Sequence, residues 1–430
     1  MRARGVAVAA ALAAVLLAGA ALRFVGLNWD SGHFLHPDER FITMVVAKIQ
    51  LPSSPDQYFE TARSPLNPYN NDFGSFVYGT FPLFFVKTLA ELIQALARGV
   101  TLPPGNPVAE LVGHLRQMAI YGEIQLLGRA LSGVADLLTI SIVFLIGRRL
   151  HSTAVGLLAA ALSAFSVLQI QAAHFFTAES ALTLLCTLAF YLALRAAHSN
   201  SLVDWTLLGV ATGLAAASKI NALMLGAVVL AAAWALWYRT TRLGGQTEGR
   251  RFLVEDLVTG MAVVAVLAFV TFRLAQPYAF SGPGLFDVAP NAKYVADLET
   301  WQRFATGEAD YPPGLQWTGT TPYLWQLTNL TFWGMGPPLA IAAWLGFLFA
   351  SLRLLRNTPR YYLWALRSSG SGSTLPTGGA SSRSRCATCS PSTHSSPSLL
   401  RSAWSRCGHG RETANAGTGA SGIPESESAD

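Results

Sequence analysis

Apolar residues fill eight stretches of this chain, at about 7–26, 127–147, 153–172, 178–195, 204–218, 221–238, 255–275 and 329–350. About 20 apolar residues in a helix are enough to cross the hydrocarbon of a bilayer. The pattern therefore predicts an all-α polytopic membrane protein, a bundle of about 8 transmembrane helices. The first stretch follows Arg2 and Arg4, and its small residues Ala18-Gly-Ala-Ala-Leu22 could pass for the end of a cleaved signal peptide. An uncleaved first transmembrane helix, 1–26, is preferred, because the run is long and further spans follow it.

Two polar intervals separate these runs. Residues 27–126 form a long loop with turn signals at Leu51-Pro-Ser-Ser-Pro55 and Ser64-Pro-Leu-Asn-Pro-Tyr-Asn-Asn71. It holds two helical patterns. One starts at Pro37, carries Asp38 and Glu39 in a first turn where acids suit the helix dipole, and lines Phe41, Ile42, Val45, Val46 and Ile49 along one face, as in a helix resting on a membrane surface. The other, about 75–99, includes Phe81-Pro-Leu-Phe-Phe-Val86 and either lies on the surface or dips into the membrane. Within the bundle 127–356, loop 276–328 carries Tyr311-Pro-Pro-Gly-Leu-Gln-Trp317, Pro322-Tyr323 and Trp325, a set suited to an interfacial aromatic belt or to stacking on a sugar, with the belt preferred.

Charge then orients the spans. Only 13% of residues are charged, against 51% hydrophobic, and mean hydropathy is +0.37; soluble proteins carry about a quarter charged residues. Arg2 and Arg4, Arg148-Arg149, Arg195, the group Arg239, Arg242, Arg250 and Arg251, and Arg353, Arg356 and Arg360 fall on one side if 75–99 does not cross. Under the positive-inside rule that side is cytoplasmic. The loops holding Asp38-Glu39, the 172–178 turn and 276–328 are then outside. A net charge of +6 in short clusters between spans speaks against a nucleic-acid partner. Four cysteines are too few for a disulfide framework, and Cys186 sits in an apolar run as a packed thiol.

Beyond Leu366 the composition turns to Ser, Gly, Thr, Arg and Pro, which predicts a disordered, low-complexity tail over 367–430. Its Cys386-Ala-Thr-Cys389, His394, Cys407 and His409 have zinc-like spacing but no apolar periodicity to organise a metal core. Permissible codons for Arg385–Pro397 read in another frame give M-R-Y-L-L-P-I-Y-P-F-L-A, a fluent membrane span, and Tyr361-Tyr-Leu-Trp-Ala-Leu366 reads as a span cut short at 357–366. The expectation is an out-of-frame tail on a truncated chain.

The candidate chemistry gathers at the end of the first span. His36-Pro-Asp-Glu39 follows Asp30 and His33 closely, and a second acid, Glu179, stands on the same outer side in Gln171-Ala-Ala-His-Phe-Phe-Thr-Ala-Glu-Ser180. A helix-start signature alone explains Asp38-Glu39 without chemistry. The crowding of ionisable groups at a membrane interface, where acids are costly and usually functional, favours a catalytic pair.

Arg23-Phe-Val-Gly-Leu27 followed by His36-Pro-Asp-Glu39 resembles the first outer loop of the C-type (GT-C) glycosyltransferase superfamily, in its protein O-mannosyltransferase-like branch of phospholipid-carrier-dependent enzymes. Gly128-Arg-Ala-Leu-Ser-Gly133, Ile146-Gly-Arg-Arg-Leu150, Ala173-His-Phe-Phe-Thr-Ala-Glu-Ser180, Gly213-Leu-Ala-Ala-Ala-Ser-Lys-Ile220 and Arg273-Leu-Ala-Gln-Pro-Tyr278 follow in the matching order, over roughly 10–366. The resemblance implies a GT-C-like bundle that moves a sugar from a polyprenyl-phosphate donor to a protein, glycan or lipid acceptor hydroxyl outside the cytoplasm, usually with inversion. It implies a multi-pass protein in a prokaryotic plasma (inner) membrane, among its lipids, with the site on the outer face. Asp38 matches the general base, and Glu39 would position the acceptor or assist Asp38. His36, His174 and Glu179 would line the substrate wall. The sequence identifies no certain cofactor; a divalent metal, if used, would fall to Glu179 and Glu39. Arg23, Lys219 and Arg273, at outer span ends, are candidates for the lipid phosphate, although for any single one of them a snorkelling anchor is the preferred reading. The alternatives are a transporter or flippase of lipid-linked sugars, which would need ionisable groups at mid-membrane depth, and an inactive truncated family member.

Overall fold

The computed structural model describes residues 2–103, 106–243, 248–306, 308–309, 320–321 and 323–356. The expected tail, its Cys/His group, the 357–366 span and the Tyr311–Trp317 aromatics lie outside the described residues.

Among the described residues the chain is helical, apart from one isolated bridge between Phe280 and Pro290. Helix α1 (Arg2–Phe24) leads into a loop that carries α2 (Pro37–Lys48), α3 (Pro55–Phe59), α4 (Thr80–Arg98) and α5 (Pro107–Gln117). The bundle continues with α6 (Ile124–Leu150), α7 (Thr153–Ala164), α8 (Val167–Ala173), α9 (Glu179–Ser199), α10 (Leu202–Ser218), α11 (Leu225–Leu243) and α12 (Glu248–Ala275). After α13 (Ala292–Thr306) come α14 (Leu324–Asn329), a π-turn at Leu330–Met335 and α15 (Pro337–Arg356).

Among the described residues, six helices qualify as membrane spans by length and composition: α1, α4, α6, α9, Ile220–Tyr238 and α12; α7 and α8 add a seventh, bent by 59°. Packing changes this tally in two ways. Helix α10 is short, yet it runs parallel to α12: Trp205 lies against Gly260, Gly209 against Val264 and Leu267, and Gly213 against Ala268 and Thr271. A Cβ on Gly213 would come within 2.5 Å of the Ala268 carbonyl, so glycine is what lets the helices approach. Two parallel helices joined through α11 require α10 and α11 to traverse the same layer in opposite directions.

Helix α4 is the reverse case. Its Leu83, Phe84, Val86 and Ala90 share a core with Ile42, Val45, Val46 and Ile49 of α2, with Ala119 and Ile124 at the entry to α6, and with Tyr278 beyond α12. Its first residue, Thr80, bonds to the Ala275 carbonyl (2.6 Å) and to Gln276 Oε1, at the end of α12. The first half of α4 therefore packs with α2 at the end of the bundle where α12 finishes and α6 begins. The opposite end holds Arg148 and Arg149, at the finish of α6, and Arg195, which pairs with buried Asp204 at 2.8 Å near the start of α10.

Candidate active site

Arg129, in the second turn of α6, is fully buried and organises the α2 end of the bundle. Its Nε and Nη2 donate to the two oxygens of Glu39, both at 2.7 Å. Nη1 and Nη2 donate to Asp30 at 3.0 and 2.9 Å, and Nη1 also reaches the Leu27 carbonyl at 2.9 Å. Guanidinium offers five N–H donors in a fixed fork, and each has a partner here. Trp29 stacks over the cation, 5.5 Å from ring centre. Glu39 accepts a further bond from the Phe176 amide (2.7 Å), which ties α2 to the α8–α9 turn. Gly128 permits that approach, since a Cβ there would stand 2.1 Å from the Phe176 ring. The Arg129 bonds, followed by burial in the opposite sense and the Arg129 charge, leave the Asp30 carboxyl below its ordinary value.

Helix α2 starts where it does because His36 caps it: its Nδ1 accepts from the Glu39 amide at 3.3 Å, and Pro37 supplies a first turn. The His36 ring also lies 4.5 Å from Phe175. His174, one residue earlier, has Nδ1 2.8 Å from the Ile170 carbonyl and Nε2 3.1 Å from that of Val25, while Trp29 donates to its own carbonyl. His174 thus staples the end of α8 to the end of α1, with both ring nitrogens engaged.

The two neighbouring acids meet opposite fates. Glu39 has no exposed surface, whereas Asp38 is exposed and forms no hydrogen bond or ion pair among the described residues. One turn further, Phe41 contacts Phe73, Phe76 and Tyr78 at 5.6, 6.4 and 5.8 Å, an aromatic shelf beside the open acid. From Tyr78 the chain passes to Gly79, whose amide donates to the Ser218 carbonyl (3.2 Å). The next residue, Lys219, pairs with Glu179 at 3.1 Å, and both side chains are about half exposed, at 43% and 47%. Helix starts, turn and pair thus bring Asp38, the shelf, Lys219 and Glu179 to one end of the bundle.

Two of the expected phosphate-binding cations have other work. Arg23 is fully buried, bonded to Asp136 at 2.5 Å and to the carbonyls of Ala164 (2.9 Å) and Ser163 (3.4 Å). Of these, the Ser163 carbonyl also accepts from the Ser166 amide (3.2 Å), whereas that of Ala164 is left to Arg23 by the α7–α8 break. Arg23 is a side-chain cap on a broken helix, neutralised by Asp136, and has no surface on which to meet a ligand. Arg273 is also buried. It donates to the carbonyls of Leu285, Gly284 and Pro277 at 3.2, 2.7 and 3.1 Å, between the rings of Phe59 (5.0 Å) and Phe280 (4.8 Å).

The metal expectation fits poorly too. Both Glu39 oxygens are held by Arg129, Glu179 is paired with Lys219, and no group of three or more His, Cys, Asp or Glu among the described residues is arranged to hold an ion. Arg129 and Asp136, the partners that sequence reasoning passed over, sit within an apolar run. The only local signal was charge inside a span, which normally demands a partner.

Residues 116–272 match the family model for dolichyl-phosphate-mannose-protein mannosyltransferases. The matched segment contains Arg129, Asp136, His174, Glu179 and Lys219, and Asp38-Glu39 precedes it. No curated protein matches the chain. Among solved structures, the S. cerevisiae protein O-mannosyltransferase Pmt1-Pmt2 complex bound to the sugar donor is similar at 15% identity and a TM-score of 0.40, over 64% of this chain and 34% of that one. Its helices and apolar spans make this chain an all-α, multi-pass membrane protein, and over α6–α12 it is similar to the dolichyl-phosphate-mannose-protein mannosyltransferase family.

Proposed function

We propose that the chain is a membrane glycosyltransferase that moves a mannose-like sugar from a polyprenyl-phosphate donor to an acceptor hydroxyl, with Asp38 as general base. The observation that carries this reading is the contrast within one acid pair. Glu39 is immobilised by Arg129, while Asp38, on the same helix turn, is open and without a partner among the described residues. A carboxylate so fixed in position and so free in its lone pairs is suited to take the acceptor proton as the sugar–phosphate bond breaks. Attack from the face opposite the departing polyprenyl phosphate would invert the anomeric carbon. Lys219 is the accessible cation suited to that phosphate, which would compete with Glu179 for it, and the Phe41–Tyr78 shelf offers faces for the sugar.

The arginines at the far bundle end support a cytoplasmic assignment for that end and an outward-facing site, here in a prokaryotic plasma membrane. The acceptor is a protein, glycan or lipid hydroxyl delivered from the aqueous side. Glu39 acts here by positioning α2 rather than by touching substrate. The buried charges within the spans, Arg23–Asp136 and Arg129–Glu39, are closed ion pairs, which gives a transport reading no support.

The test is sugar transfer from a polyprenyl-phosphate mannose donor by the membrane-reconstituted full chain. Asp38→Asn is expected to lower turnover by about 10²–10⁴-fold, the range of a general base, without lowering thermal stability. Unchanged turnover in Asp38→Asn beside an active wild type would overturn the assignment.

A further inference from the structure

The segment after α12 makes a small, doubly pinned loop. At its base Ser281 donates to the Ala289 carbonyl (2.8 Å), Asn291 donates to that of Ala279 (2.9 Å), and Phe280 bridges to Pro290. At its tip, Arg273 holds the carbonyls of Gly284 and Leu285. Yet the side chains it carries at that tip point away from protein. Phe286 is 90% exposed, with Leu285 and Val288 also exposed. A rigid loop that displays a large aromatic in this way has a partner to meet, because an exposed Phe in water gains nothing from being fixed there.

The identity of that partner follows from depth. Arg273 belongs to the last turn of α12, a membrane-span helix, and its guanidinium bonds directly to the loop backbone. The tip therefore lies within one arginine side chain of the span's end, at the boundary between hydrocarbon and headgroups. The base of the loop also touches the lipid-facing flank of α12. Phe280 packs edge-on against Phe269 at 6.0 Å, and Phe269 is itself exposed along with Val270 and Leu274. The apolar surface of the span thus continues onto the loop.

We infer that Leu285 and Phe286 form a membrane wedge, inserted among the outer acyl segments of bilayer phospholipids beside the candidate site. The depth expected of such an interfacial element is about 5–10 Å below the headgroups. The wedge also has a direct mechanical link to the site. Arg273 fixes the loop to the end of α12, and Ala275 and Gln276, just beyond it, anchor the start of α4 at Thr80. Bilayer depth is in this way registered against the start of α4.

The test places a nitrobenzoxadiazole probe on Phe286→Cys, in the full chain with Cys186, Cys386, Cys389 and Cys407 replaced, one copy per nanodisc and without donor. Asp72→Cys, on an exposed turn, serves as the aqueous control. The wedge predicts blue-shifted emission at 286, quenching by 5-doxyl phospholipid and protection from iodide, with the reverse at 72. Quenching at 286 by iodide alone would place the tip in water and overturn the inference. Protection from both quenchers would mean that protein covers the tip, and would overturn it equally. Neither readout depends on catalysis, so an inactive chain leaves the experiment intact.

Discussion

Arg129 shows how one side chain can set the geometry of a site that it never enters. Its five donors are shared between two carboxylates and a carbonyl that come from separate turns, so the end of α1 and the start of α2 have a single arrangement on α6. Two acids around one arginine leave a net negative charge in a buried place. The Gly32 amide on Asp30 and the Phe176 amide on Glu39 help to offset it. A prediction in pH follows from Asp30. Its carboxyl is held below the ordinary value, so its stabilising effect is complete above the unfolded carboxyl value of about 3.9 and is lost as pH falls from there through the lower folded value. Thermal unfolding of the detergent-solubilised chain from pH 6 to pH 3 should show a steeper loss at the acid end in wild type than in Asp30→Asn. Parallel acid limbs would mean that Asp30 does not stay ionised in this network.

At the scale of elements, the α7–α8 break is the least expected feature and has a clear cause. The run 153–172 contains neither Pro nor an internal Gly after Gly156, so nothing local predicts a 59° bend at Phe165-Ser166. The bend persists because Arg23 of α1 satisfies the Ala164 carbonyl it exposes and Asp136 of α6 neutralises Arg23. Removing either partner alone leaves an uncompensated buried charge, which costs about 3–5 kcal/mol. Arg23→Leu with Asp136→Leu should recover the charge part of that loss but remain less stable than wild type, because the Ala164 carbonyl loses its donor. A double variant as stable as wild type, measured by thermal unfolding, would show that the cap contributes nothing. The same contrast explains what was legible in advance. Apolar run length and Pro37 gave α1, α2, α6, α9 and α10 to within a few residues, since those signals are local. The break, and the pairing of Arg129 with residues 90 and 99 positions away, are tertiary facts. Asp38 and Glu39 stood out as a pair, but their division into one open and one locked acid depends on Arg129, which periodicity treats as an interruption in a span.

For the whole molecule, the decisive question is whether α4 crosses, because its crossing would invert every later helix relative to α1. Length and apolarity alone place it among the spans. Three features oppose this: its core with α2, its first residue bonded to the end of α12, and the return of the chain through Ala119 and Ile124 into that same core. The arrangement also lets the arginines ending α6 and α9 share one face with the N-terminus, as the positive-inside rule requires. Single cysteines in the cysteine-replaced chain can decide it. In sealed right-side-out vesicles, Asp72→Cys before α4 and Glu110→Cys after it, both on exposed positions, should react with a membrane-impermeant maleimide, and Arg148→Cys should react only after permeabilisation. If α4 crossed, Asp72 and Glu110 would label from opposite faces. The Arg129–Glu39 pair would then have to join groups on opposite sides of the bilayer, which a 2.7 Å bond cannot do. Labelling of Asp72 and Glu110 from one side would tie the outer layer, the open Asp38 and the lipid-facing wedge to a single membrane face, the one condition that a lipid-linked donor and an aqueous acceptor both impose.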